Sequence, residues 1–157
     1  MLLWFVGASV VTVWYVFRDP RFDYRLLVVG ALLPEIDGVF GGMRWLHSVV
    51  SSVALLTVVM LATAGRKPAR KLLLGLPIGT FLHLVFDGAW ATTDVFWWPF
   101  TGWSIGDERL PSAQRGWWNV PLELIGLMIV VWVGRRARLG DPVRRRAVAG
   151  TGRLFGM

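Results

Sequence analysis

Cysteine is absent from this chain, which excludes a disulfide framework and any thiolate-held metal. Lysine occurs twice, at Lys67 and Lys71, and histidine twice, at His47 and His83. Charged residues are scarce at 17%, against 55% hydrophobic, where an ordinary soluble domain carries about a quarter charged. With 157 residues there is room for one compact bundle and none for a second domain. The opening Met1–Phe5 has no basic segment and no small-residue cleavage site precedes Arg18, so this stretch reads as a retained span, not a signal peptide. Neither an internal repeat nor a low-complexity tract is present.

Apolar sequence comes in five runs: Met1 to Phe17, Leu26 to Phe40, Leu46 to Ala64, Leu72 to Trp90 and Trp118 to Gly134. Runs of this kind, separated by bursts of charge, predict an all-α, polytopic bundle of about five transmembrane helices over residues 1–134. The net charge of +7 sets its orientation. Arg18, Arg21 and Arg25 share one face with Arg66, Lys67, Arg70 and Lys71 and with Arg135, Arg136, Arg138, Arg144, Arg145, Arg146 and Arg153. Only Arg44, Arg109 and Arg115 fall on the other. The expectation is therefore a multi-pass inner-membrane protein, N-terminus outside, with 135–157 as a basic cytoplasmic tail. The 91–117 segment, rich in Trp97, Trp98, Trp103 and Trp117, is expected to form an aromatic loop at the outer interface, with Trp118 opening the last run. The second run is short and carries Pro34, which predicts a break there. Membrane lipids are the expected partners of the basic residues; a cytoplasmic protein partner for the tail is the alternative, and nucleic acid is the weaker one.

Ionisable groups inside apolar runs need a reason. Glu35 and Asp37 close the second run, His47 opens the third, His83 and Asp87 sit in the fourth, and Glu123 lies early in the fifth. Threaded through the five-span topology, they reach one depth. His83 and Asp87 are four apart, which stacks them on one helical face. An imidazole and a carboxylate so placed can share a metal ion, and mixed ligands of this kind suit zinc, manganese or iron better than calcium. The pair serves equally as a hydrogen bond between helices. Glu35 reads either as a ligand or as a partner that orients one. Glu123 is expected to complement the N-terminal dipole of its own helix.

Four pieces in order, Gly30-Ala-Leu-Leu-Pro-Glu-Ile-Asp37, Leu46-His47-Ser48, Gly79-Thr-Phe-Leu-His83-Leu-Val-Phe-Asp87 and Trp98-Pro-Phe100, resemble the YdjM-like family. That family is described as LexA-binding, inner-membrane-associated metal-dependent hydrolases. The likeness covers about Gly30 to Phe100. It implies metal ligands at Asp37, His47, His83 and Asp87, with Glu35 standing where the family has a first Asp. It departs from the family at Gly42, which aligns with a His, and at Leu46, which aligns with a Thr. The His-x-x-x-Asp element is also similar to the zinc-dependent phospholipase C and nuclease group, which implies phosphoester hydrolysis by analogy. The reading that follows is a membrane-embedded hydrolase of a phosphoester or lipid ester near the outer leaflet. A divalent metal, zinc first, is its cofactor and Glu35 its proton acceptor. The competing reading is a non-catalytic scaffold or regulator whose polar cluster only joins helices.

Overall fold

The computed structural model describes residues 1–40, 42–103 and 109–155. Gly41 of the short link, residues 104–108 of the aromatic loop and residues 156–157 of the basic tail lie outside the described residues. The described chain is all-α, with no strand. In order come α1 (Leu2–Phe17), α2 (Tyr24–Leu32), α3 (Val49–Ala62), α4 (Lys67–Leu73), α5 (Gly75–Asp87), the single turns α6 (Thr93–Phe96) and α7 (Pro111–Gln114), α8 (Asn119–Arg136) and α9 (Pro142–Thr151).

Local chemistry sets several of these ends. The Asp23 carboxylate accepts from the Arg25 amide and starts α2, Ser48 accepts from Val50 and starts α3, and Asp141 accepts from Val143 ahead of Pro142 in α9. The α2 helix stops just before Pro34, and the chain tightens into a 3-10 helix over Leu33–Phe40. The α5 helix closes on Gly88 in the left-handed conformation.

Two close helix contacts build the bundle. Where α2 meets α5, the backbones nearly touch at Gly30 and Gly79: a Cβ on Gly79 would lie 2.2 Å from the Leu27 carbonyl oxygen. The α1 and α8 helices run parallel, with Trp4 beside Gly126 at one end and Trp14 against Trp132 at the other. At the far end of α1, Val10, Val13, Phe22, Tyr24, Leu27 and Val133 form a core that Leu154 and Phe155 cover. The tail thus folds back on the bundle, and the Tyr24 amide donates to the Gly152 carbonyl. At the near end a smaller cluster of Met43, Leu84, Ala89 and Val95 supports the functional residues. The outer faces of α3 and α8 stay apolar and exposed, at Val58 and Leu61 and at Leu124 and Met128.

Glu123 does not serve its own helix. Its two carboxylate oxygens accept from the Leu3 and Trp4 amides, satisfying the open N–H groups that begin α1. Glu123→Ala is expected to cost about 1–2 kcal/mol, as the loss of such a cap does. Thermal denaturation measures this, and an unchanged midpoint would remove the capping role.

The five-span expectation is corrected by helix length. A span needs about 20 apolar residues, roughly 30 Å of helix. The first run gives a helix of 16 residues and the third one of 14, and the second divides into a 9-residue α-helix and a 3-10 helix. Among the described residues only two helical stretches, Lys67–Asp87 and Gly116–Arg136, are long and apolar enough to cross a membrane, by length and composition alone. The multi-pass inner-membrane placement, and the inside-outside assignment of loops drawn from it, fall with the five spans. Apolar runs in the sequence overstated the helices because Pro34 and Gly88 end two of them early and Ser48 starts a third late.

Candidate metal centre

The α5 helix presents His83 and Asp87 on one face, one turn apart, both almost fully buried. His83 is fixed from two sides. Its Nδ1 donates to the Ala31 carbonyl of α2 at 2.7 Å, and the Phe5 ring of α1 lies 4.0 Å from its own, centroid to centroid. With Nδ1 carrying the proton, Nε2 keeps a free lone pair. Burial pushes the His83 pKa down to about 4, so the ring is neutral near pH 7.

His47 comes from a different part of the chain. It ends a 3-10 turn, Trp45–His47, just before α3, and Ser48 pins that junction by donating to the Trp98 carbonyl at 2.7 Å. Its ring stands between two carboxylates. Nδ1 lies 3.0 Å from Asp37 Oδ2, and Nε2 lies 3.6 Å from Asp87 Oδ2. Burial opposes a charge on this ring, but the negative carboxylates of Asp37 and Asp87 on either side outweigh it and raise the pKa. The His47 and His83 rings meet edge to face, 5.4 Å apart.

His47, His83 and Asp87 each offer one ligand atom, and the three atoms lie within 4.8 Å of one another. This buried cluster can chelate a divalent metal ion. One observation makes the fit specific: Asp87 Oδ2 is buried and has no hydrogen-bond partner. A carboxylate oxygen left bare in the interior is costly, and a cation is the partner that offsets it. Its distance to His47 Nε2 is too long for a hydrogen bond. It is close to the ~3.3 Å edge of a tetrahedron with metal bonds of about 2.0–2.1 Å. Two imidazoles and one carboxylate leave a tetrahedral ion one open position.

The other expected residues sit around this trio. Asp37 lies behind His47, not among the three clustered ligand atoms. Its Oδ2 accepts from the Arg44 and Leu46 amides, both at 3.0 Å, and faces His47 Nδ1. It therefore closes the loop that carries His47 and orients the ring, as carboxylates behind metal-bound histidines do. Glu35 is half-buried and faces the amino terminus of Met1, 3.4 Å away. Gly42 is buried, and its amide bonds to the Asp37 carbonyl.

Arg115 was missed by sequence reasoning. It reaches in from the turn after α7 and donates to both Asp87 Oδ1 and the Asp87 carbonyl, while about a quarter of its side chain stays exposed. Nothing in its spacing, 28 residues from Asp87, points to this pairing. The one hint was its place among the three basic residues set apart from the other fourteen. The Ala31 carbonyl was equally hidden, since any residue supplies one.

No family model, curated protein or solved structure matches the chain. What the geometry defines is a class of site: two histidines and an aspartate, buried, with an orienting carboxylate behind and a part-exposed arginine beside it.

Proposed function

We propose that this protein is a metal-dependent hydrolase of phosphoesters. His47, His83 and Asp87 hold the ion, zinc being the best match to two imidazoles and a carboxylate with an open position. A bound zinc supplies Lewis acidity and a water acidified toward neutral pH. The chain's own residues do the rest. Asp37 keeps the His47 Nδ1 proton directed away from the ion, and the Ala31 carbonyl does the same for His83. Arg115, a quarter exposed beside Asp87, brings a charge that suits a phosphate oxygen. Asp87 Oδ2, buried without a hydrogen bond, carries this reading. The likeness of the Gly30–Phe100 pieces to the YdjM-like family supports it.

The test is metal removal. Zinc-loaded protein is expected to hydrolyse bis(4-nitrophenyl) phosphate, to lose that activity on dialysis against a chelator, and to regain it with added zinc. Arg115 already satisfies one oxygen of Asp87, and His47 is already held by Asp37, which also suits a purely structural cluster. If chelation changes neither turnover nor melting temperature, the scaffold reading stands and the hydrolase reading is lost.

A further inference from the structure

The end of the molecule opposite the candidate metal centre holds a cavity. Phe5 contacts His83 near the start of α1, while Trp14, Tyr15 and Arg18 at its end line a cavity of about 820 Å³. The rest of the lining includes Arg136, Arg138 and Arg144, with Phe155 and Leu154 as apolar wall. Four arginines thus line one space.

Their charges are not balanced within the described chain. Asp19 is the lone carboxylate in the lining, and its Oδ2 is taken by Lys71 at 2.6 Å. The four arginines make no ion pair among the described residues. Three of them are held instead by neutral partners. Arg136 lies over the Trp14 ring at 5.6 Å and Arg18 over Tyr15 at 5.4 Å. Arg144 donates to the Ala137 and Leu154 carbonyls. Aromatic faces and carbonyls fix a guanidinium in place without neutralising it.

The backbone makes the same point independently. Among the described residues two that are not glycine adopt positive φ, Arg18 at 49° and Arg138 at 54°, and both line this cavity. They sit just past the ends of α1 and α8, where glycine is the residue that fits without strain. Strained arginines at two helix ends, lining one basic hollow, mark a place where the side chain matters more than the backbone.

We infer that this cavity binds an organic phosphate with two or more negative charges, its phosphates on Arg18, Arg136, Arg138 and Arg144 and its apolar part against Tyr15 and Phe155. The volume falls in the range of small-molecule sites and far exceeds what inorganic phosphate fills. A soluble nucleotide and an anionic phospholipid headgroup offer the same chemistry. The reading is independent of the metal centre.

The test uses full-length protein stripped of metal on a chelating resin, in buffer free of chelator, so that phosphates cannot bind through a metal. Binding of ADP is measured by calorimetry, and capture on nanodiscs of phosphatidylglycerol is compared with phosphatidylcholine. Binding of ADP identifies the soluble source, and selective capture by phosphatidylglycerol the lipid source; either supports the site. Arg138→Gly and Arg18→Gly are each expected to weaken that binding at least tenfold without lowering the melting temperature, because glycine relaxes the positive φ. Binding of neither probe, or binding that both variants leave unchanged, overturns the proposal.

Discussion

His83→Ala is expected to strip the purified protein of its metal, from about one zinc per chain in the wild type to background by elemental analysis. The residue supplies an Nε2 whose direction is fixed twice, by the Ala31 carbonyl behind it and the Phe5 ring beside it. Loss of a mere orienting partner weakens metal binding about 10–100-fold, so loss of a direct ligand should exceed the upper end. Asp87→Asn gives a second route to the same result. It keeps the volume of the side chain and removes the charge that the buried, unpartnered Oδ2 brings to the site. The two variants separate metal binding from packing. Alanine at 83 also opens a small void against Phe5, whereas asparagine at 87 does not, so a shared loss of zinc cannot be assigned to the void. Wild-type protein that carries no zinc after exposure to it, with unaltered melting in both variants, would sink the metal centre.

Gly79→Val is expected to destabilise the bundle strongly. The three atoms nearest a Cβ at this position are backbone of α2: Leu27 O at 2.2 Å, Ala31 N at 2.7 Å and Gly30 C at 2.9 Å. No side chain can swing aside, so α2 must move off α5 as a unit. Overpacking of this severity costs about 3 kcal/mol or more. At roughly 2–4 °C per kcal/mol for a chain of this size, the melting midpoint should fall by about 6–12 °C. The same shift draws the Ala31 carbonyl away from His83, so zinc affinity should fall with stability. Gly134→Ala is the control, since a Cβ there meets nothing within 4 Å. Equal melting of the two variants would show that the close approach of α2 and α5 is not what holds the bundle.

The helices were legible as apolar runs, but their lengths were not. Leu26 to Phe40 reads as one continuous segment, and only the conformational limits of Pro34 divide it into a short α-helix and a 3-10 helix. Counting hydrophobic residues therefore gave spans where the chain makes shorter packed helices, and the membrane topology built on that count failed with it. Within the site, the His83–Asp87 pair was legible because four-residue spacing on a helix fixes a common face. The position of Asp37 was not, because it depends on how the loop between Phe40 and His47 closes, and loops carry no periodicity. Arg115 could not be found for the same reason: its approach to Asp87 is made by the fold of a distant turn.

The carboxylate of Asp37 receives two amides and a ring nitrogen at one oxygen, so the chain is clasped between Asp37 and His47, ten positions apart. Until the clasp shuts, His47 has no fixed place and the ligand set holds only the two members α5 carries. A cluster built this way can offer its three ligand atoms together only once the loop is fastened.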